Sequence, residues 1–486
     1  MGTDERDVRV GKLNEMRRVG IEPYSDRYER NNTLLEAKAL PIGTSGIRIV
    51  GRVMTMRKFG KLIFATLKDG SGKLQAALQE QHLDKEAFSN FKKYVDIGDF
   101  IGAEGTLFKT KVGEITLDVA QFELLSKTLR PLPEKWHGLQ EQELLYRQRY
   151  LDLVMNEGSL EKFLKRTRII KTMRDYLDAH GFLEVETPVL QTKPSGAIAT
   201  PFVTHHNALN LDLYLRIAPE THLKRCIAGG FERVYEFARS FRNEGIDPSH
   251  LQDFTLLEYY VAYWNYADNM KFTEEFIKHV VQETNGSLTL DYGETVIDFS
   301  GEWEAIDIHD LILRDTDIDI NKVSTAKKLK EKIKGQRIDI EEIEQMGFGT
   351  LVDNLFKKVS RPKIKDPLFL IHHPIELSPL ARRNDRNPNI TDRFQLIVGG
   401  WEIVNAYSEL VDPLDQKTRF EEQAELKKSG DTQTMPMDDD FLTAMEYGMP
   451  PMSGWGMGVD RFVCLLTNQE NLRDIILFPL MKPSQK

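Results

Sequence analysis

Arginine, carboxylate and aromatic side chains recur at strand-like spacing between residues 232 and 260. Arg242 and Glu244 fall on one face of a predicted strand, and Phe254, Glu258 and Tyr260 fall on one face of the next. A guanidinium binds phosphate through paired hydrogen bonds, a carboxylate binds an ammonium group, and an aromatic ring stacks on a base. The segment therefore indicates a site for a nucleotide and an amine, although a surface hairpin with cross-strand ion pairs explains this segment alone equally well.

A second group of polar residues lies between positions 395 and 410. Asn405, Tyr407 and Glu409 alternate on one strand face, whereas Glu402 has the opposite parity. We expect Gly399-Gly400 to bulge the strand and to turn Glu402 toward the same site. Carboxylates beside a nucleotide are suitable Mg²⁺ ligands. The alternative is an edge strand whose acids face solvent.

A glycine-rich segment near the C-terminus supplies a second candidate arginine. Gly454-Trp455-Gly456-Met457-Gly458-Val459-Asp460-Arg461 precedes an apolar helical stretch. Glycines permit close backbone approach, and Arg461 near a helix N-terminus opposes the macrodipole unless an anion lies nearby. The segment is neither a dinucleotide-binding fingerprint nor a P-loop, because no Gly-Lys-Ser/Thr follows.

The elements that must position these side chains follow two patterns. Residues 47 to 126 read as five short strands and one helix, which is typical of an OB-fold barrel, and Lys and Arg outnumber Asp and Glu there. Beyond Arg130-Pro131-Leu132-Pro133, a stiff linker, helical and strand patterns alternate. We predict an α+β multidomain chain: a helical extension at 1–44, a barrel at 45–128, a linker at 129–150, and a larger domain at 151–486 with a helical insertion at about 310–358.

Composition excludes several classes of protein. The 486 residues carry a net charge of −10 and are 41% hydrophobic and 29% charged, which is ordinary for a globular chain. Apolar runs are too short for a membrane span, and two cysteines cannot form a disulfide framework. We therefore expect a cytoplasmic protein without a membrane association.

Three motifs resemble those of class II aminoacyl-tRNA synthetases, which are ATP-dependent ligases built on an antiparallel sheet flanked by helices. Residues 181–190 resemble motif 1, which belongs to the dimer interface in that class, residues 241–245 resemble motif 2, and residues 454–461 resemble motif 3. Residues 204–209, 216–220 and 377–384 narrow the similarity to the lysyl-tRNA synthetases of bacterial type. The similarity extends over nearly the whole chain, including the barrel.

The resemblance implies a role for individual residues in charging tRNA(Lys) through a lysyl-adenylate intermediate. Arg242, Glu244 and Arg461 would act in catalysis. The implied ATP-binding residues are Arg242, Glu244, His250, Phe254, Glu402 and Arg461. The implied lysine-binding residues are Gly196, Glu220, Arg242, Glu258, Tyr260, Asn405, Tyr407 and Glu409. Glu402 and Glu409 would hold Mg²⁺. In the barrel, Arg57, Phe64, Gln75 and Glu114 would read the anticodon.

Some positions depart from the family pattern. Gln395 stands where a second acidic Mg²⁺ ligand is usual, and its amide oxygen can ligate a cation but contributes no charge. Ser195, Thr200 and Trp401 are also unusual choices. A homodimer that binds ATP, L-lysine, Mg²⁺ and tRNA(Lys) is the expectation. The alternatives are a lysyl transferase acting on a protein, against which the barrel argues, and a non-catalytic RNA-binding paralogue, against which Arg242 and Arg461 argue.

Overall fold

The computed structural model describes residues 4–133, 142–245, 247–323, 325–428 and 435–483. Residues 134–141 of the predicted linker lie outside this part. The chain divides into two compact units, Met1–Gln140 and Glu141–Lys486. Within the described ranges, no helix is both long and apolar enough to cross a membrane.

The first unit is a closed five-stranded barrel with helices packed on it. Its elements are α1 (Glu5–Arg18), α2 (Leu34–Ala39), β1 (Ile47–Phe59), β2 (Leu62–Lys68), β3 (Lys73–Gln79), α3 (Lys85–Tyr94), β4 (Phe100–Lys109) and β5 (Ile115–Ser126). The strands close in the order β1-β2-β3-β5-β4. Met16 of α1 and Leu34 of α2 are fully buried against the barrel interior. Gly105 is required where β4 meets β5, because a Cβ there would lie 2.0 Å from the Asp118 carbonyl oxygen.

The second unit begins with helices and two small groups of strands. These elements are α4 (Gln142–Arg147), α5 (Arg149–Met155), α6 (Ser159–Ala179), β6 (Leu183–Glu184), β7 (Leu190–Gln191), β8 (Val203–His206), β9 (Leu211–Leu215) and α7 (Glu220–Ala228). Next come β10 (Arg233–Phe241), β11 (Asp253–Ala262), α8 (Tyr266–Asn285), β12 (Thr289–Tyr292), β13 (Thr295–Asp298) and β14 (Glu304–Asp307). Helix α8 begins with a capping box in which Asn265 and Asp268 satisfy each other's backbone N–H groups.

The remaining elements complete the main sheet. They are α9 (Ile308–Thr316), α10 (Ala326–Gly335), α11 (Phe348–Leu355), β15 (Leu368–Ile371), β16 (Arg393–Val398), β17 (Trp401–Ser408), α12 (Pro413–Lys428), α13 (Asp439–Glu446), β18 (Met452–Gly458) and α14 (Val459–Leu466). Eight strands form one sheet in the order β14-β15-β16-β17-β18-β11-β10-β6. Its central pairs are antiparallel. The apolar core between this sheet and helices α6, α8 and α14 includes Met173, Phe276 and Phe462, while α9, α10 and α11 share a separate apolar cluster.

The backbone explains how Glu402 reaches the site. Gly399 and Gly400 have φ values of 55° and 75° and form the two-residue turn between β16 and β17, so they do not bulge the strand as expected. The register shift lies further along, where Val404 faces Leu396 but Glu402 faces Ile397, which leaves Ile403 as the extra residue. The bulge changes the parity of the strand, so that Glu402 lines the same cavity as Asn405.

Candidate active site

A cavity of about 340 Å³ opens over the centre of the main sheet, lined from β11, β17, β18, α7 and α14 and from the loops beside them. Gly456 is the register partner of both Glu258 and Asn405, and Gly454 is the partner of both Tyr260 and Tyr407. The side chains of β11 and β17 therefore stand on either side of two glycines of β18, which have no side chains. A Cβ at Gly454 would lie 2.1 Å from Glu409 Oε1 and 2.4 Å from Tyr260 Cε1, so glycine is what makes room for these two side chains.

Three arginines, Arg242, Arg393 and Arg461, line the cavity. Arg242 lies one residue beyond the end of β10, and its backbone N–H donates to Gln252 O, just before β11. The Arg242 guanidinium lies 5.0 Å from the centroid of the Phe254 ring. Its Nε is buried and has no hydrogen-bond partner among the described residues. A buried donor without a partner is costly, so this atom is suited to an anionic ligand.

The second guanidinium belongs to Arg461 in the first turn of α14. Its Nη1 donates to Glu402 O over 3.3 Å, its Nη2 lies 3.4 Å from His250 Nε2, and its Cζ is 5.9 Å from the Trp401 ring centroid. Burial lowers the pKa of Arg461 and of Arg242. Both groups therefore gain from a phosphate that neutralises them inside the cavity.

The remaining predicted nucleotide residues lie at the rim. Glu244 is exposed, and its Oε1 accepts from Thr200 N over 3.4 Å. His250 is exposed, and its Nδ1 lies 2.8 Å from Asp247 Oδ2. The half-buried ring of Phe254 lines the cavity. Phe254 and Glu244 lie beside Arg242, whereas His250 lies beside Arg461, so a planar base could stack on the Phe254 ring between the two guanidinium groups.

Acidic side chains line another part of the cavity, and tyrosines hold them. Tyr407 donates its hydroxyl to Glu220 Oε1 over 2.6 Å, and Tyr260 donates to Glu258 Oε2 over 3.2 Å. Burial raises the pKa of Glu258 well above its ordinary value, and the neighbouring Glu220 raises it further. Burial likewise raises the pKa of both tyrosines, so they stay protonated donors. These paired acids are suited to bind ammonium groups.

Asn405 and Gly196 complete this part of the wall. Arg393 Nε donates to Asn405 Oδ1 over 2.8 Å, so the amide N–H₂ of Asn405 remains to donate to a ligand carboxylate. Gly196 has a φ of 86°, and a Cβ there would lie 3.0 Å from Glu220 Cβ. Arg393 was not among the residues expected from the sequence. Period-two alternation could have indicated Arg393, because it lies on the same strand face as Gln395, whose register partner is Asn405.

Glu409 occupies a different position from the other acids. It is buried, does not line the cavity, and its Oε2 lies 2.5 Å from the ammonium nitrogen of Lys224. Its Oε1 lies on the side of Gly454 to which a Cβ would point, and it has no hydrogen-bond partner among the described residues. Burial raises the pKa of Glu409 to about 8, although Lys224 acts in the opposite direction. Lys224 was not among the residues expected from the sequence, although its i,i+4 spacing from Glu220 is that of a helical ion pair.

The residues present fit a magnesium ion through one protein carboxylate. Glu402 lines the cavity, and none of the described residues forms a hydrogen bond or ion pair with its carboxylate. Glu409 is paired with Lys224, and Gln395 Oε1 is 3.0 Å from His373 Nε2. No group of three metal-ligating side chains occurs in the described ranges. One carboxylate is sufficient where the nucleotide's phosphates supply further oxygens.

The predicted anticodon residues lie on one outer part of the barrel. Arg57 is the register partner of Phe64 on β1 and β2, and Thr66, two residues from Phe64, is the partner of Gln75. The Gln75 Oε1 atom is buried without a hydrogen-bond partner among the described residues. Glu114 is exposed in the turn before β5. Strand pairing thus brings Arg57, Phe64 and Gln75 to one face.

Phe59 adds an aromatic ring to this face that the sequence analysis missed. It is 60% exposed, and its ring centroid lies 6.3 Å from that of Phe64 in an edge-to-face arrangement. The sequence could have indicated Phe59, because it lies two residues after Arg57 and therefore on the same face of β1.

Comparison with known proteins matches both units. Residues 141–482 match the family described as tRNA synthetases class II (D, K and N), and residues 47–125 match the OB-fold nucleic acid binding domain. These matches confirm the predicted fold class. A lysine–tRNA ligase of Pelotomaculum thermopropionicum is 47% identical over 480 residues, covering 98% of this chain and 95% of that protein. A lysine–tRNA ligase of Bacillus subtilis is 43% identical over 493 residues, covering 99% and 97%, and one of Aquifex aeolicus is 45% identical over 444 residues, covering 90% and 74%.

Proposed function

Because this chain belongs to the class II tRNA synthetases of the D, K and N group, we propose that it joins L-lysine to tRNA(Lys) through a lysyl-adenylate intermediate. The observation that carries this proposal is one cavity lined both by the guanidinium groups of Arg242 and Arg461 and by tyrosine-held carboxylates. ATP and lysine need these two chemistries next to each other.

In the first step, a lysine carboxylate oxygen bonds to the α-phosphorus of ATP, and the bond from that phosphorus to the bridging oxygen breaks. Pyrophosphate leaves with the electron pair. Arg242 binds the α-phosphate and the lysine carboxylate, and the Asn405 amide donates to the same carboxylate. Arg461 binds the departing phosphates, and Phe254 stacks on adenine. Catalysis comes from positioning and charge stabilisation, without a covalent enzyme intermediate.

Lysine is recognised by its two ammonium groups. Glu220, beside Gly196, receives the α-ammonium group, and Glu258, Tyr260, Tyr407 and the deeper Glu409 form the end that receives the ε-ammonium group. Neutral side chains would leave buried carboxylates without a cation, which disfavours their binding strongly. Glu402 would hold Mg²⁺, which supplies charge neutralisation of the ATP phosphates when bound.

In the second step, the hydroxyl of the terminal adenosine of tRNA attacks the lysyl carbonyl carbon, and AMP leaves. The barrel binds the anticodon, with Phe64 stacking on a base and Arg57, Gln75 and Glu114 contacting base edges. The exposed apolar side chains Leu183, Leu190 and Val203 on β6, β7 and β8 support a homodimer through this region. We place the enzyme in the cytoplasm, where its tRNA substrate is charged.

Substitution of Arg242 tests the proposal. We expect Arg242→Ala to reduce lysine-dependent ATP–pyrophosphate exchange by roughly 100- to 1,000-fold, because it removes a preorganised donor from the α-phosphate. Arg314→Ala is the matched control, since Arg314 is largely exposed and, among the described residues, pairs only with its neighbour Asp315. Exchange by the Arg242→Ala protein at the control's rate would refute the assigned role. Wild-type protein that shows no lysine-dependent exchange would refute the function itself.

A further inference from the structure

The proposed lysine pocket already contains an ammonium group that belongs to the protein. Lys224 lies one helical turn after Glu220 on α7, and its side chain is 1% exposed. Its Nζ lies 2.7 Å from Glu220 Oε1 and 2.5 Å from Glu409 Oε2. The rings of Tyr260, Tyr407 and Phe441 surround it, with centroids 6.0, 5.6 and 5.6 Å from Nζ. Carboxylates and aromatic faces around a buried cation are the features of an ammonium-binding site.

The position of Lys224 is informative because a buried ammonium group is costly unless its partners are well matched. An aliphatic side chain would fill the same volume without that cost. Glu220 and Glu409 are also the acids to which the proposed function assigns the α- and ε-ammonium groups of the substrate. One protein cation therefore bridges the two carboxylates that must bind the two ends of lysine.

The charges in this part of the pocket can be counted. When bound ammonium groups keep all three acids ionised, Glu220, Glu258 and Glu409 contribute three carboxylates, and Lys224 contributes one ammonium group. A bound lysine adds two ammonium groups, which makes three acids and three ammonium groups. Besides Glu220 and Glu258, the charged groups that line the cavity itself are Arg242, Arg393, Arg461, Glu244, Glu402 and Asp460, and Arg242 matches the substrate's own carboxylate.

We propose that Lys224 is a positioning and specificity-determining residue for lysine. It neutralises one of three acids, holds the Glu220 and Glu409 carboxylates in place, and leaves room for two further ammonium groups. The pocket is then matched to an amino acid with an ammonium group at each end. This inference rests on the proposed function and names how its substrate is selected.

Kinetics of Lys224→Met test the inference, because methionine has nearly the same length and shape but no charge. We expect the KM for lysine in pyrophosphate exchange to rise about 30-fold or more, since removing one partner of a buried charge pair leaves the others unmatched. The KM for ATP should change less than about twofold, because the phosphate-binding arginines are untouched. The matched control is Lys278→Met, which removes the partner of another i,i+4 pair, Glu274–Lys278 on α8, outside the cavity.

The outcomes separate the inference from the proposed function. Wild-type activity with an unchanged lysine KM in Lys224→Met would overturn the inference alone. An equal rise in the KM for lysine and in the KM for ATP would show that Lys224 has only a structural role, and it would also overturn the inference. If Lys224→Met does not fold, Lys224→Arg, which keeps the charge, should retain lysine-dependent exchange, and an inactive, folded Lys224→Arg would count against the inference.

A crystal structure of the wild-type protein with lysine bound gives a test that needs no variant. We expect Lys224 Nζ to remain within hydrogen-bond distance of Glu220 and Glu409 beside the two substrate ammonium groups. Displacement of Lys224 by a substrate ammonium group would show that it only occupies the empty pocket, and would overturn the inference.

Discussion

At the residue scale, the site depends on hydrogen bonds that leave selected atoms free for a ligand. Each of Glu220 and Glu258 has one oxygen held by a tyrosine hydroxyl. The carboxamide oxygen of Asn405 is occupied by Arg393, so only its N–H₂ group remains. Because these side chains are already held in place, less conformational entropy is lost when the substrate binds. Their fixed orientation also sets where in the site a charged group is preferred.

The raised pKa of Glu258 predicts a pH dependence of lysine binding. Its carboxyl group stays protonated to a pH well above 4.5, and a neutral acid attracts an ammonium group less strongly than a carboxylate does. Lysine affinity should therefore increase as pH rises through the Glu258 pKa, by up to about tenfold per pH unit. Isothermal titration with lysine across the pH range in which the protein stays folded measures this, with norleucine, which lacks the ε-ammonium group, as the control ligand.

Glu258→Gln provides the check on that assignment. Glutamine cannot ionise, so the variant should bind lysine weakly with a flatter pH profile. A variant profile as steep as that of the wild type would assign the titration to another group.

At the element scale, the site depends on where strands change their regular geometry. The bulge at Ile403 brings Glu402 to the side of Asn405, and β10 ends one residue before Arg242. The glycines of β18 leave room for the side chains of β11 and β17 that flank them. A strand of ordinary residues at this position would fill the cavity with its own side chains.

Gly454→Ala tests whether the site depends on the room that these glycines leave. The added Cβ would meet Glu409 Oε1 and Tyr260 Cε1 far inside contact distance, so both groups must move. We expect lysine-dependent exchange to fall roughly 100-fold, equivalent to ~3 kcal/mol, with a smaller effect on ATP binding. Gly335→Ala is the control, because nothing lies within 4 Å of a Cβ at that last residue of α10. Wild-type kinetics in Gly454→Ala would contradict this view of the pocket.

At the scale of the whole molecule, amino-acid activation and anticodon binding belong to different compact units. The candidate anticodon face is built within the barrel alone, and the cavity is built within the second unit alone. A substitution on the barrel face should therefore affect only the reaction that uses tRNA.

Phe64→Ala measures this separation. Loss of a stacked base should cost ~1–3 kcal/mol, so the KM for tRNA in the charging reaction should rise about 5- to 150-fold while pyrophosphate exchange is unchanged. Val112→Ala, at a 91% exposed position of the same barrel, is the control. Equal losses in charging and exchange would argue against a separate role for the barrel.

Local sequence was enough to predict much of this protein. Period-two alternation indicated the strands that carry Glu258, Tyr260, Asn405 and Tyr407, and the motif resemblance identified Arg242 and Arg461, because these signals depend on neighbouring residues and on residue type. Only the tertiary structure placed Glu409 behind the cavity wall, paired it with Lys224, and oriented Asn405 through Arg393. These contacts join residues far apart in the chain, and their geometry follows from strand register, a bulge and packing across the sheet, which no local pattern specifies.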